Sequence, residues 1–482
     1  MTFRLAPLAF AVLPWIAAAP GCAPSPQPVI GAVAATDAKD LEFAYASQPA
    51  SRGTDAAARV PAGSRIEVVR AGGARRTLSA GFSAAGTPCP SFDATHLLFA
   101  GRASEAEFDA VWEVGAAGGA PRKVASLRDG DCSSPAYLPH GEVVFCGPAP
   151  GGRGLWVASL DGIGPPRRIT FFAHDETLDP TVLADGRLLF AVRDAAAPGA
   201  PAGPAALFAV SSDGTGVHGV HGDGAGGLSR RRPRATADRG IVFVASPLQG
   251  SGTSGVLRLD ARRPARAPSV AAEGEYRSAD PLPGGAMLVS RRPRQEAGAP
   301  APAFGLALLT AGGTETVLAG DPSRDEVDAV ALVARPAPKG HLSVVNESRT
   351  TGVAYCIDVR LDRTAAPGTT AVPAALRVLE EVASAAPGGP RGTRALGEAP
   401  IADDGSFFVE LPADRALRLV TLGADGSVLR DSGPRFWVRP NESIGCIGCH
   451  EQPGAMAPNA QPAAVRSPPA RFGAADAGEA GR

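Results

Sequence analysis

Pro180-Thr181-Val182-Leu183-Ala184-Asp185-Gly186-Arg187-Leu188-Leu189-Phe190 is the stretch that decides the fold of this 482-residue chain. It joins an X-Pro step, a tight turn and an apolar run that ends at an aromatic residue. Related stretches, in which a proline precedes a turn and an apolar run, occupy residues 90–99, 135–145, 233–243 and 281–289. The five prolines are 45, 45, 53 and 48 residues apart, and such a period is typical of repeat architectures.

The turns within the repeats predict antiparallel strands. Pro139-His140-Gly141, Ala184-Asp185-Gly186 and Asp238-Arg239-Gly240 contain the turn-forming residues of hairpins. A third strand is predicted after most of these hairpins, for example at residues 155–158. Because proline is tolerated at the first position or at the edge of a strand, we expect each repeated proline to mark the start of an inner strand.

Six such units predict an all-β fold. Residues 41–69 supply an additional N-terminal unit, and the last copy ends near residue 320. Units of three or four strands at this period predict a six-bladed β-propeller over residues 39–335, with seven blades as the alternative. The turns Leu160-Asp161-Gly162 and Ala184-Asp185-Gly186 are similar to signatures of the TolB-like propellers, and this resemblance implies the same fold.

Residues 336–440 break the repeat and predict a small β-sandwich-like domain. Arg335-Pro336-Ala337-Pro338 is typical of a stiff linker, and an alternating strand is predicted at residues 353–359. A second strand is predicted at residues 407–411, and we expect residues 417–422 to pair with it.

Near the C-terminus, Cys446-Ile447-Gly448-Cys449-His450 has the spacing of a c-type haem attachment site. In such a site two thiolates form thioethers with the porphyrin, and the following histidine ligates the iron. We therefore predict one covalent haem c on Cys446 and Cys449, with His450 as the proximal iron ligand, in an attachment segment over residues 441–458. A metal site that uses His450 with distant ligands, or a disulfide, is the alternative.

Four stretches carry a second resemblance. They are Gly397-Glu398-Ala399-Pro400, Asp404-Gly405-Ser406-Phe407, Phe436-Trp437-Val438-Arg439-Pro440-Asn441-Glu442 and Cys446-Ile447-Gly448-Cys449-His450-Glu451. Together with the domain order, they resemble proteins that carry the middle domain of the hydrazine synthase alpha subunit. The resemblance implies a haem c site at Cys446, Cys449 and His450. It does not imply hydrazine synthesis, because the chain has no second Cys-x-x-Cys-His motif.

Only 32 residues follow His450. So short a segment has too little apolar area to bury a haem alone. We therefore expect the haem to lie against the propeller or the small β domain, and residues 459–482 to be disordered. The candidates for haem packing are Phe436, Trp437 and Arg439, whose rings would cover the haem and whose guanidinium would neutralise a propionate. Alternatively, the aromatic residues belong to an ordinary core.

Two residues are candidates for the distal iron ligand. Met456 follows the attachment motif closely, and a thioether ligand raises the haem potential. His174 is expected on the same face of the propeller as Asp179 and Asp280. A histidine beside carboxylates can ligate haem iron or another metal, or transfer protons, and the alternative is a solvated polar loop.

Residues 1–21 predict an export signal, with a positive start and an apolar core over residues 5–19. Cys22 follows directly and resembles the lipidated cysteine of bacterial lipoproteins, so we expect a periplasmic or outer-membrane lipoprotein with a membrane anchor and a linker over residues 22–38. Four further cysteines form an even set in this oxidising compartment, and the sequence does not determine their pairing. They are Cys89, Cys132, Cys146 and Cys356.

Composition excludes several classes of function. The net charge of −1 predicts no nucleic-acid surface. No nucleophile elbow, phosphate loop or dinucleotide fingerprint occurs in a convincing context, so hydrolase and nucleotide-binding functions are disfavoured and no catalytic residue is assigned. The leading hypothesis is periplasmic electron transfer to a redox partner protein. The alternatives are a haem enzyme acting on a small nitrogenous or oxygen substrate, and a propeller interaction module with a structural haem or metal site.

Overall fold

The structure is a computed structural model that describes residues 38–50, 59–196, 203–222, 227–248, 254–260, 269–271, 274–294, 301–361, 372–384, 389, 391–433, 436–448 and 461–472. Over these residues the chain forms strands and turns, and the helical pieces are three short 3-10 turns at Pro139–Gly141, Pro283–Gly285 and Ala464–Arg466. The all-β prediction is confirmed. None of the described helices has the length and hydropathy needed to span a membrane.

The first part of the chain contains strands β1 to β24, grouped in sheets that follow one another. The first two groups are β1 (Phe43–Pro49), β2 (Arg65–Val69) and β3 (Arg75–Thr77), then β4 (Ala84–Pro90), β5 (His96–Arg102), β6 (Ala110–Gly115) and β7 (Arg122–Ala125). The next two groups are β8 (Ser133–Leu138), β9 (Glu142–Ala149), β10 (Gly152–Ser159) and β11 (Arg167–Arg168), then β12 (Asp175–Val182), β13 (Leu188–Asp194), β14 (Ala206–Val210) and β15 (His218–His221). These two groups form one eight-stranded sheet, because β10 pairs parallel with β12 at Arg153 and Glu176. The last are β16 (Leu228–Ala235), β17 (Ile241–Pro247), β18 (Gly255–Leu259) and β19 (Ser269–Ala271), then β20 (Glu275–Pro281), β21 (Met287–Arg292), β22 (Gly305–Leu309) and β23 (Glu315–Ala319), and finally β24 (Arg324–Ala331).

The sheets close into a cycle, here called the sheet cycle. β24 pairs antiparallel with β1, so the end of this part of the chain completes the first sheet. The first strands β4, β8, β12, β16 and β20 contact one another in order, β20 contacts β24, and β24 contacts β4. This closure protects the sheets, because a cyclic arrangement leaves only short sheet edges on which another chain could pair.

The repeated prolines do not begin the inner strands, contrary to the expectation from strand chemistry. Pro135, Pro180 and Pro233 lie inside β8, β12 and β16, and Pro90 and Pro281 end β4 and β20. Each of the three internal prolines lies where the register of the sheet shifts. A β-bulge leaves a residue out of the ladder, so a proline there costs no hydrogen bond.

The bulge in β12 explains the repeated pattern in the three copies with an internal proline. Asp179 and Pro180 together lie opposite Phe190, and Asp179 has a φ of +52°. The Phe190 ring is fully buried under this bend. Equivalent bulges put Phe145 opposite Ser134 and Pro135, and Phe243 opposite Arg232 and Pro233. The proline and the aromatic residue therefore recur together because they form the two sides of one bulge.

The second part of the chain is a small β domain of two sheets. Its strands are β25 (Thr351–Cys356), β26 (Ala375–Val382), β27 (Gly392–Pro400), β28 (Phe407–Pro412), β29 (Leu417–Leu422), β30 (Val428–Asp431), β31 (Ser443–Cys446) and β32 (Ala470–Arg471). The sheet orders are β31-β25-β28-β32 and β27-β26-β29-β30. Residues 417–422 therefore do not pair with residues 407–411 as expected. β28 and β29 lie in different sheets and contribute Val409 and Leu417 to one shared core.

The prediction of a disordered tail is wrong for residues 461–472. β32 pairs parallel with β28, with Ala470 opposite Val409. The Ala463 N–H donates to Asp404 Oδ2 at 2.7 Å. The Phe472 ring packs directly against Gly397. A Cβ on residue 397 would lie 2.6 Å from Cδ1 of Phe472, so only glycine leaves room for the ring. The tail is ordered because it completes a sheet edge and adds apolar area to the core.

Candidate functional site

The attachment motif begins on a strand of the small β domain. β31 runs parallel to β25, with Cys446 directly opposite Cys356. The pairing continues past the strand, because the Ile357 N–H donates to the Cys446 carbonyl at 2.9 Å and the Asp358 N–H to the Ile447 carbonyl at 3.1 Å. The small β domain thus extends beyond the expected boundary at residue 440. Cys449 and His450 lie outside the described residues.

The Cys446 side chain points toward the inner face of its sheet. In β25, Ala354 and Cys356 are buried and alternate with half-exposed Val353 and Tyr355. Cys446 pairs with Cys356 and therefore shares its face, but it lies on the edge strand and stays half-buried. Cys446 is thus held at the edge of the core of the small β domain, where its backbone is fixed by β25 and the residue is half-buried.

Glycine is required between the two motif cysteines. A Cβ on Gly448 would lie 2.3 Å from the Leu361 carbonyl oxygen, which is far inside contact distance. A Cβ on Gly445 would lie 2.5 Å from the Tyr355 hydroxyl, so a larger residue there would require the tyrosine side chain to move. The motif backbone from Gly445 to Gly448 therefore passes closely over β25 and the residues that follow it.

Trp437, a candidate for haem packing, is buried in the sheet cycle. Its Nε1 donates to the Gly214 carbonyl at 2.9 Å. The indole meets Phe172 edge to face at 4.8 Å between centroids and Phe171 at 6.0 Å. These contacts connect the small β domain to the sheet cycle, and together with those of Arg439 and Glu442 they are called the domain joint. The neighbouring Phe436 is half-buried against the core of the small β domain.

Arg439 completes the domain joint. Its guanidinium donates to Asp414 at 2.6 Å and to Glu347 at 2.9 Å, and it lies 5.0 Å from the Phe171 ring centroid. Glu442 accepts the Arg439 N–H through one carboxylate oxygen and the Gly216 N–H through the other. Burial raises the pKa of Glu442, and the two N–H donors oppose that shift. The charge of Arg439 is thus compensated by protein carboxylates.

His174 lies just before β12 and is buried. Its Nε2 has no hydrogen-bond partner among the described residues. A Cβ on Gly151 would touch both Ala173 and Ala383, so this turn lies where residue 383 of the small β domain reaches the sheet cycle. No group of three or more metal-ligating side chains occurs in the described part of the chain. The other candidate, Met456, and the lipidation candidate Cys22 lie outside the described residues.

Cys89, Cys132 and Cys146 are thiols and form no disulfide among the described residues. Burial raises the pKa of Cys132 and of Cys146 to about 12. Cys356 is also buried, and Cys89 is half-buried beside a central cavity.

That cavity was not predicted from the sequence. It has a volume of about 230 Å³ and is lined by the inner strands and by residues 335–338 of the linker. Asp179 and Asp280 both line it, as expected for one face, but His174 does not. Burial opposes ionisation of Asp179, yet Arg231 and Arg232 hold its pKa well below its usual range. The signal was present in the sequence, because the charged residues adjoin the repeated prolines.

Comparison with known proteins supports the hydrazine synthase resemblance. A family model described as the hydrazine synthase alpha subunit middle domain matches residues 363–451, which include the Cys-x-x-Cys-His motif. The structure is similar to Kuenenia stuttgartiensis hydrazine synthase, with a TM-score of 0.75 and 18% identity over 89% of this chain and 72% of that chain. At this identity the likeness shows the fold alone.

Two β-propeller neighbours are more distant. TolB from Acinetobacter baumannii has a TM-score of 0.46 and 15% identity over 62% of this chain and 67% of that chain. The β-propeller domain of the trilobed protease from Pyrococcus furiosus has a TM-score of 0.35 and 14% identity over 58% of this chain and 97% of that domain. No curated protein matches the chain.

Proposed function

We propose that this chain is an exported, lipid-anchored c-type haem protein that acts in periplasmic electron transfer. The observation that carries the proposal is the position of the Cys-x-x-Cys-His motif. Its first cysteine lies on an edge strand of the small β domain, inside the region that matches the hydrazine synthase middle-domain model. The proposed architecture is a six-bladed, TolB-like propeller followed by a β-sandwich. Each of the four four-stranded sheets of the sheet cycle would be one blade, and the eight-stranded sheet would be two.

The residues present fit a covalent haem. Cys446 and Cys449 would hold the porphyrin, and His450 would ligate the iron, which supplies one-electron redox chemistry when bound. The sandwich rim would cover one haem face, because β31 is fixed by β25 and the tail returns to β28. Phe436 is the packing candidate on that side. His174 and Met456 remain the distal-ligand candidates, and the buried, unbonded Nε2 of His174 is the atom that an iron requires.

One attached haem suffices for electron transfer, which needs a fixed haem edge near the surface. An enzyme acting on a small nitrogenous or oxygen substrate is the second candidate, favoured by the match to the hydrazine synthase middle-domain model. An open sixth iron position distinguishes the two, because substrate must bind the iron directly. Spectra of the reduced protein with and without carbon monoxide test this: a shift on addition supports the enzyme, and an unchanged spectrum supports the carrier.

Haem attachment is tested on a denaturing gel. Thioether bonds survive denaturation, so protein from a host with haem-attachment machinery should give a haem-stained band. The Cys446→Ala and Cys449→Ala double variant should lose the band. Cys356→Ala is the matched control, because it removes the cysteine opposite Cys446 but leaves the motif intact. A colourless wild-type protein from such a host contradicts the haem proposal.

The lipid anchor has a separate test. A lipidated Cys22 partitions the mature protein into detergent, and Cys22→Ser should move it to the aqueous phase. A free N-terminus beyond Cys22 on wild-type protein contradicts lipidation and leaves the haem proposal untouched.

A further inference from the structure

We propose that the central cavity of the sheet cycle is a binding site for a small organic monocarboxylate, held by Arg234 and Arg335. This inference is independent of the haem. The cavity measures about 230 Å³, slightly below the usual range of about 300–1,000 Å³ for ligand pockets, so it suits a compact metabolite.

The cavity is preformed and offers few backbone donors. Its lining includes six prolines on the inner strands or the turns beside them and two on the linker, namely Pro88, Pro90, Pro135, Pro180, Pro281, Pro283, Pro336 and Pro338. Proline has a fixed φ and no N–H, so these walls are stiff and supply apolar surface and carbonyl oxygens. Polar recognition of a ligand therefore depends on side chains, which include several hydroxyl groups, and the charged donors among them are arginines.

Most of the carboxylates around the cavity are already compensated. Asp179 accepts from Arg231 Nε at 2.8 Å, and Arg232 Nη1 lies 2.6 Å from Asp328 Oδ1. Arg232 also lies 3.4 Å from Asp179, so these groups form one buried network. Buried charges arranged in this way neutralise one another and leave little field for a ligand.

Arg234 is only loosely paired. Its Nε lies 3.6 Å from Asp280 Oδ1, beyond a hydrogen bond, and its Nη1 donates to the Pro233 carbonyl at 3.2 Å. Asp280 meanwhile accepts the Ala331 N–H at 3.0 Å through its other oxygen. Since a guanidinium carries five N–H donors, most of the donor capacity of Arg234 is left for a ligand.

Arg335 has no carboxylate partner among the described residues. Its Nη2 makes one long contact, 3.4 Å, to the Pro90 carbonyl, and its backbone N–H donates to the Phe92 carbonyl at 2.6 Å. The backbone bond fixes the linker across the cavity while the guanidinium keeps its donors. Asp179 is paired with Arg231, which lies outside the cavity lining, and Asp328 is paired with Arg232. The lining therefore retains Arg234 and Arg335 against Asp280 alone, an excess of one positive charge.

This balance selects the ligand class. An excess of one positive charge matches a monoanion, and a carboxylate accepts two parallel hydrogen bonds from a guanidinium. The rest of the ligand would contact the proline rings and apolar side chains such as Leu282 and Val330. A neutral analogue of equal size would lose the charge-assisted bonds.

The test is calorimetric titration of the full-length protein with propionate, propionamide and inorganic phosphate. We expect propionate to bind at least about tenfold more tightly than propionamide, equivalent to about 1.4 kcal/mol, and more tightly than phosphate. Arg335→Gln and Arg234→Gln should each weaken propionate binding at least about tenfold. Arg335→Lys keeps the positive charge but loses the paired N–H donors of the guanidinium, so its affinity for propionate should be intermediate between wild type and Arg335→Gln.

Arg258→Gln is the matched control, because Arg258 pairs with Asp238 on the surface and does not line the cavity. It should leave propionate affinity unchanged, and thermal melts should show that each variant is folded. Equal affinity for propionate and propionamide, preference for phosphate, no heat of binding with any probe, or unchanged affinity in folded Arg335→Gln protein would each overturn the proposal.

Discussion

Trp437 shows how one side chain can connect two domains. Its neighbours Phe436 and Val438 pack in the small β domain, whereas the indole crosses to the sheet cycle and is fully buried there. Alternation along an extended segment explains this, because successive side chains point to opposite sides. One stretch of the hydrazine synthase resemblance, residues 436–442, therefore contains the domain joint. Its arginine lies over the Phe171 ring and its glutamate accepts the Gly216 N–H, so both contact the sheet cycle.

Removing the indole should destabilise the protein strongly. Trp437→Ala leaves a cavity between Phe171 and Phe172, so we expect a loss of about 3–5 kcal/mol in the free energy of unfolding. Trp437→Phe keeps most of the apolar volume and loses the bond to Gly214, for an expected loss of about 1 kcal/mol from the bond. Urea unfolding followed by fluorescence and circular dichroism measures both. Equal midpoints for wild type and Trp437→Ala would mean that the joint adds no stability.

Thiol reactivity should follow burial. Alkylation requires the thiolate, and with pKa values of about 12 Cys132 and Cys146 stay protonated at pH 8. Raising the pH toward 12 increases their thiolate fraction, so their labelling should accelerate only in that range. Of these three cysteines, half-buried Cys89 should react first with iodoacetamide, as judged by mass spectrometry of native protein. Labelling after denaturation is the control, and native labelling of Cys146 as fast as Cys89 would contradict this order.

At the scale of elements, the sequence predicted the turns formed by adjacent residues but not the pairing of strands that are distant in the chain. The hairpin turn at Ala184-Asp185-Gly186 joins β12 to β13 as expected, because turn chemistry is written in adjacent residues. The pairing of Cys446 with Cys356 joins residues 90 positions apart, and no local pattern encodes it. The bulges were missed for a related reason. A proline before an apolar run fits a strand start or a bulge equally well, and only the opposing aromatic residue distinguishes them.

β32 gives the element-scale prediction. Deleting residues 461–482 removes β32 and Phe472, exposes the edge of β28 and uncovers Gly397. We expect a lower thermal midpoint and a tendency to associate, because an unpaired apolar strand edge templates further pairing. Deleting residues 473–482 is the matched control and should change neither property. Melting curves and size-exclusion chromatography provide the measurements, and identical behaviour of the two truncations would show that β32 contributes nothing.

At the scale of the whole molecule, the two parts share more than a linker. The linker carries Arg335 across the central cavity, and the domain joint inserts Trp437 into the sheet cycle. The sequence predicted both domains and the attachment motif, because the repeat period, the turns and the cysteine spacing are local. It did not predict the joint, since an aromatic residue before a haem motif fits haem packing equally well.

The last prediction concerns which part of the molecule holds the proposed haem. A fragment of residues 430–482 lacks β25 and β28, the partners of β31 and β32, so its haem should be exposed and bind carbon monoxide fast. The full chain should bind carbon monoxide more slowly and have a higher potential, because burial favours the less charged ferrous state.

Full-length Trp437→Ala separates the two domains' contributions to that effect. It loosens the joint but keeps the pairing of β31 with β25. If the small β domain alone covers the haem, this variant should have the potential and carbon monoxide kinetics of the wild type, and a change in either would show that the sheet cycle takes part. The 430–482 fragment lacks both neighbouring domains. If its potential and carbon monoxide kinetics equal those of the full chain, the haem does not pack against either domain.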